Sequence, residues 1–316
     1  MKRLSPERFH RARQFLKTEA RPLDRAQFEH RFESAPAEHV LAELACYQNP
    51  DGGFGRALEP DVRTPTSSAL ATGIGLSVLE ELGCGSDHPM VADAVRFLRQ
   101  TFDELSQTWR VIPHDANDYP HAPWWHDEGG SLARTFDDFL VIPRAQIVGL
   151  LHHFSTPVPA DWLDALTEAT VTAIETLEDE TFAGGGDALR YALDLAETES
   201  LPGRFRDCLV PRLRELAHRL VSRDPHEWSG YCATPLKIAP RWQSILADAL
   251  WDDLQGNLDY LIDHQLSDGT WEPTWTWGEC YPEAWVGAER EWRGYLTLET
   301  LTSLHSFGRV AQQGRE

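Results

Sequence analysis

Two stretches of the chain repeat one short pattern, and that repetition limits the folds open to it more than any other feature. Gln48-Asn49-Pro50-Asp51-Gly52-Gly53-Phe54-Gly55 and Gln265-Leu266-Ser267-Asp268-Gly269-Thr270-Trp271 both read Gln-x-x-Asp-Gly-x-aromatic, and each follows an apolar helical run. Asp-Gly turns a helix end, and a buried ring would pin the returning chain. A unit that recurs at such joints implies helical hairpins that each bury a face against a neighbour.

Helical periodicity continues through the 316 residues, and runs of alternating Val, Ile and Thr that would signal strands are nearly absent. Residues 6–18 carry Phe9 and Phe15 on one face, and residues 24–34 repeat this with Phe28 and Phe32. Residues 37–47 form a third amphipathic helix, ending in the Asp-Gly-Gly turn. Thr66, Ser67 and Ser68 then cap a run of small and apolar residues that Gly83 stops. About fifty residues on, the succession returns: a helix over 89–105, a degenerate Gln100-Thr101-Phe102-Asp103, a long loop over 110–134, and an apolar helix over 139–154. A third unit spans 160–193 through Gly184-Gly185-Gly186, and helices over 205–221 and 241–250 make a fourth. The last covers 254–265, crosses an aromatic loop and finishes in a helix over 294–308.

In these pairs one helix is amphipathic while its partner is small or apolar along most of its surface, as outer and inner layers should be. The expectation is an all-α, single-domain α/α toroid of about six helical hairpins. Residues 1–35 would be an N-terminal helical pair, 36–308 the repeat core and 309–316 a tail. No Gly/Ser tract or charged block marks a linker to a second domain.

A formal net charge of -21 argues against nucleic acid or an anionic membrane surface as the main partner, because neutralising phosphates takes an excess of Lys and Arg. Five scattered cysteines without a C-x-x-C spacing fit neither a disulfide framework nor a zinc ribbon. The first residues, Met1-Lys2-Arg3-Leu4-Ser5-Pro6-Glu7, lack the apolar stretch of a signal peptide, and no run is long and apolar enough to span a bilayer. A cytoplasmic protein without a transmembrane segment is expected.

These residues resemble the terpenoid cyclase and protein prenyltransferase superfamily, the squalene-cyclase-like α/α toroids. The family's repeat is similar to Gln-x-x-Asp-Gly-Gly-Phe/Trp-Gly followed by Thr/Ser-x-x-Ala-Leu, which residues 48–55 and then 66–70 match. The motifs at Gln265 and Gln100 match more weakly, and residues 155–245 only in helical rhythm. The resemblance implies an aromatic-lined central cavity and an isoprenoid or other apolar substrate. The same ring serves cyclases, transferases, complement-type binding domains and sugar-processing enzymes, so the chemistry has to be read from the site.

In such a ring, the loops leading into the inner helices surround one mouth of the cavity. Here they collect Glu59, Asp61 and Arg63; then Trp124, Trp125, His126, Asp127, Asp137 and Asp138; then Trp275, Trp277, Glu279, Cys280, Tyr281, Glu283, Trp285, Glu291 and Trp292. Aromatic faces stabilise cations, and a carboxylic acid kept protonated by burial can protonate an alkene or epoxide. Asp61, Asp137 and Asp138 are therefore the candidate catalytic acids. Arg63, Trp124, Trp125, His126, Trp275, Trp277, Glu279, Tyr281, Glu283 and Trp285 are the candidate substrate contacts.

The family's acid motif, Asp-x-Asp-Asp, is approached only by Thr135-Phe136-Asp137-Asp138, which lacks the first Asp; the plain alternative is that both aspartates cap the next helix. An ionising Asp-Asp-x-x-Asp motif fails at Val141, so magnesium is not implied. Arg63, Arg134, Arg144 and Arg293 could fork a diphosphate or carboxylate, or neutralise acids such as Asp61 and Glu291. Glu279-Cys280-Tyr281 with His305 is loosely similar to the prenyltransferase zinc set, and His114, His121, His126 and Asp127 could also bind metal, but neither compels one. No cofactor or metal is expected, and neither a phosphate-cradling loop nor a Gly-x-Ser-x-Gly elbow occurs.

Two other functions remain open at this level. Tryptophan platforms with paired carboxylates also suit a carbohydrate-active or sugar-binding α/α barrel. A toroid with a filled centre would instead be a non-catalytic scaffold that meets a protein partner.

Overall fold

The two Gln-x-x-Asp-Gly motifs build the same joint, and the helices are organised by it. A computed structural model describes residues 1–132, 140–156 and 158–311. Among the described residues it is all-helical, with 12 α-helices and no strand. They are α1 Pro6–Thr18, α2 Pro22–Glu33, α3 Ala37–Ala45, α4 Ala69–Glu81, α5 Pro89–Thr101 and α6 Arg144–His153. Then come α7 Ala160–Thr176, α8 Asp187–Glu197, α9 Gly203–Leu220, α10 Pro235–Ile238, α11 Trp251–Asp263 and α12 Pro282–Ser306.

Local chemistry sets the starts. Ser5 and Ser68 accept from Arg8 N and Ala71 N at the heads of α1 and α4. Pro opens α1, α2, α5, α10 and α12, where its missing N–H costs nothing.

At the first joint, Gln48 Nε2 donates to Gly52 O at 2.9 Å and to Met90 O at the head of α5 at 3.0 Å. At the second, Gln265 Nε2 donates to Gly269 O at 2.8 Å and to Arg8 O at the head of α1 at 3.1 Å. Each Asp accepts from the backbone two residues on, Asp51 from Gly53 N and Asp268 from Thr270 N. Each ring is buried, and the backbone N–H of its residue donates to a threonine of the following helix: Phe54 N to Thr72 Oγ1 of α4 and Trp271 N to Thr297 Oγ1 of α12. Gly52 and Gly269 take φ of +95° and +93°, and a Cβ on either would strike the backbone of α5 or α1. A joint made by the chain's last hairpin therefore leans on its first helix, just as the Gln48 joint leans on α5.

Consecutive helices pack as α1 with α2, α2 with α3, α4 with α5, α6 with α7, α8 with α9, and α10 with α11, rather than chiefly within the α3–α4, α5–α6 and α7–α8 hairpins expected from the sequence. The even-numbered helices also meet one another, α4 with α6, α6 with α8, α8 with α10 and α12 with α2, and α12 packs on α1 as well. Eight of the ten residues of α6 are buried, against three of thirteen in α1. Leu4 N donates to Arg309 O at 2.7 Å, and Ala311 N to Leu4 O at 3.1 Å, tying the two ends of the chain together.

Two expectations change. Residues 241–250 form turns rather than a helix, and the helix before them is the short α10. Pro240 accounts for its end, because it forces Ala239 out of helical geometry. The presumed aromatic loop is shorter than expected, since α12 begins at Pro282; Glu283, Trp285, Glu291 and Trp292 are helical. No described helix is long and apolar enough to cross a membrane.

The opposite ends of the inner helices differ in chemistry. At the C-terminal ends Arg31 pairs with Glu81 and Glu299, Arg241 with Glu81, and Arg190 with Asp194 and Glu197. A cleft of about 400 Å³ between α2, α4 and α12 opens at that end. The aromatic residues gather at the other.

Candidate functional site

The segment Leu58-Glu59-Pro60-Asp61-Val62-Arg63 leads from the first joint to α4, and three parts of the chain hold it in place. From α2, Arg21 Nη1 donates to Leu58 O at 2.9 Å, while the same guanidinium grips Asp24 by two further hydrogen bonds. The long loop pairs with it through backbone, Arg63 N to Pro120 O at 3.0 Å and Ala122 N to Asp61 O at 2.8 Å. From α12, Glu291 forms a two-pronged ion pair with Arg63. Upstream, Arg56 and Ala57 both take positive φ, an uncommon conformation for residues with a Cβ.

Asp61 is 3% exposed, and its Oδ1 accepts from two indoles, Trp277 Nε1 at 2.8 Å and Trp292 Nε1 at 2.7 Å. Trp275 stands edge-on to Trp292, with ring centres 5.0 Å apart. The Trp275 N–H is buried on the same side without completing a hydrogen bond. Glu59 is buried as well, and its Oε2 has no hydrogen-bond partner. A buried carboxylate oxygen left bare is costly, whereas a protonated carboxyl tolerates the position better.

The electrostatics agree with that geometry. Burial, and then the charge of Asp61, push the Glu59 carboxyl well above the ordinary carboxylate range, against a weaker pull from neighbouring N–H groups and Arg21. Burial pushes Asp61 up to about 6, while the indole hydrogen bonds and Arg63 pull it down. Near neutral pH the pair therefore holds a proton on Glu59 and a negative charge on Asp61, cradled by indole N–H groups.

A stability consequence follows. The folded chain holds the Asp61 proton more tightly than the unfolded chain does, so this group favours folding most below its ordinary value of 3.8. That contribution is lost as pH rises through about 6. Thermal midpoints recorded from about pH 4 to pH 7 should show the wild type losing ground to Asp61→Asn over this window. Parallel curves would refute the perturbation.

The structure brings several expected residues around this pair. Trp277 and Trp125 join Val62, Leu70, Val111 and Ile112 in an apolar cluster distinct from the main core, with Trp285 and Tyr191 packed against it. Trp285 lies 5.5 Å from Trp277, ring to ring. His126 donates to or accepts from buried His121 at 3.1 Å, and Tyr281 packs on His121 at 5.3 Å. Trp124 is partly exposed, and Glu279 and Glu283 face solvent. Asp137 and Asp138 lie outside the described residues.

The proposed zinc sets do not assemble. Helix α12, 25 residues long, separates Cys280 before its start from His305 near its end by roughly 35 Å at about 1.5 Å per residue. His121 and His126 bond each other, and Asp127 is held by Arg110 and Asn117. Among the described residues no group of three or more His, Cys, Asp or Glu side chains converges as a metal site. Of the arginines proposed as an anion fork, Arg63 pairs with Glu291 and Arg293 with Asp268.

Sequence reasoning placed Glu59, Asp61 and Trp292 at the mouth but ranked only Asp61 among them as a candidate acid, and it missed Arg21. The Glu-Pro-Asp spacing was the available signal for Glu59, since Pro fixes the link between two acids on one short segment. Set against known proteins, the chain matches no protein-family model, no curated protein and no solved structure.

Proposed function

We propose that the hairpins close as an α/α toroid and that the chain is a terpenoid-cyclase-like enzyme, acting on an isoprenoid or other apolar substrate by carboxylic-acid general acid catalysis. Closure is supported by the Gln265 joint, which treats α1 as its next outer helix, and by the packing of α12 on α1 and α2. The catalytic reading rests on one observation: Asp61 is buried on two tryptophan N–H groups beside Glu59, a buried carboxyl with a bare oxygen.

In this reading the proton held on Glu59 is passed to an alkene or epoxide, and Asp61, kept anionic on its indole donors, offsets the positive charge that develops. The faces of Trp275, Trp292 and Trp285 then meet the cation that forms. A glycosidase needs its two carboxyls on opposite sides of the scissile bond. Glu59 and Asp61 come from one segment, and the charge of Asp61 raises the proton affinity of Glu59, which favours a single acid centre.

The test is incubation of the purified protein with squalene and a series of prenyl diphosphates in deuterated buffer, with products read by mass spectrometry. A cyclised or isomerised product carrying one deuterium from solvent is expected. Absence of any product, or a product formed only by loss of diphosphate without deuterium, would overturn the proposal.

A further inference from the structure

The geometry points to an oxyanion-binding site at Arg144, on the first turn of α6, taking a phosphate-type group. Arg144 is 2% exposed, and its Nε donates to Thr170 Oγ1 of α7 at 2.8 Å. That hydroxyl in turn donates to Leu166 O, so it serves Arg144 only as a neutral acceptor. The Nη2 group is buried with no hydrogen-bond partner.

No acidic side chain among the described residues pairs with Arg144. The other deeply placed arginines are treated differently: Arg21 sits on Asp24, Arg190 on Asp194 and Glu197, and Arg309 on Asp259. A buried guanidinium without a counter-charge is strongly unfavourable, and burial accordingly pulls the Arg144 pKa down to about 10. An arriving anion would restore what the fold leaves unpaired.

The place suits an anion on a second count. Helix α6 has ten residues, its N-cap position is Pro143, and no side chain caps it. Ala145 N already donates to Val141 O at 2.8 Å, so the helix end adds its positive dipole beside the guanidinium rather than a free N–H there. Guanidinium forks match oxyanions in shape, and a doubly charged phosphate group gains more from this pairing than a singly charged carboxylate does. In a chain of net charge -21, binding of an anion requires such a local cation. The inference is independent of the isoprenoid reading.

Isothermal titration of the full chain with inorganic phosphate and with a short alkyl phosphate, at ionic strength matched with chloride, tests the site. Saturable binding is expected, weakened about ten-fold or more in Arg144→Gln, a loss of the size a charge-assisted hydrogen bond carries. Arg144→Lys keeps the charge without the fork; it should bind with intermediate affinity and guards against a misfolded Gln variant. Tighter binding of the alkyl phosphate would identify a phosphorylated organic ligand, and equal binding a free anion. Failure of both anions to bind the wild type, or undiminished binding in Arg144→Gln, would overturn the assignment.

Discussion

Replacing Asp61 by Asn is expected to lower turnover about 10²–10⁴-fold, the usual range for loss of a positioned acid or base, with helix content unchanged. Asn keeps an acceptor oxygen for Trp277 and Trp292, whose N–H groups lie 2.8 and 2.7 Å from Asp61 Oδ1, so the aromatic frame should survive. What disappears is the negative charge that helps keep the neighbouring Glu59 carboxyl protonated. Glu59→Gln removes the other half of the pair and should cause a loss of similar order. If the two carboxyls act as a unit, the double variant should be little worse than the poorer single variant. Multiplying losses would mean two independent acids. Full turnover in Asp61→Asn, with loss instead in Asp137→Asn combined with Asp138→Asn, would move the acid to the second candidate pair.

The limits of sequence reading follow from what each residue depends on. The Gln48 and Gln265 joints were legible because their function is local: Asp, Gly and ring act within seven residues, and only the second bond of the Gln reaches another helix. The deep burial of α4 and α6 was legible from composition, and nine of thirteen and eight of ten of their residues are buried. Residues 241–250 misled because their apolar content imitates a helix, while Pro240 and the turns after it decide otherwise. Trp292 fell in a loop because the last helix was expected over 294–308; instead Gly294 sits inside α12, where a Cβ would press on Ala20 of the α1–α2 turn at 2.9 Å. The gathering of Asp61 with Trp277 and Trp292 spans more than two hundred residues, and no local pattern encodes it. Arg21 is the extreme case, a single cation at a helix head whose role appears only when Leu58 is placed beside it.

That role gives the largest stability effect expected in the molecule. Asp24 is fully buried, and Arg21 donates to it from Nε at 2.8 Å and Nη2 at 2.9 Å. Asp24→Ala would leave a buried guanidinium without its counter-charge, which costs about 3–5 kcal/mol. Urea denaturation should show the loss as a lower midpoint, and a change under about 1 kcal/mol would show that water relieves the arginine. Arg21→Met combined with Asp24→Leu replaces the pair by apolar groups of similar volume and should recover most of the stability. Activity should not return with it. The remaining Arg21 donor holds the Leu58 carbonyl one residue before Glu59, so the double variant keeps the core while freeing the acid segment. Recovery of stability without recovery of turnover would mark Arg21 as a positioning residue for the Glu59–Asp61 pair, whereas recovery of both would reduce the ion pair to a means of joining α2 to the fold.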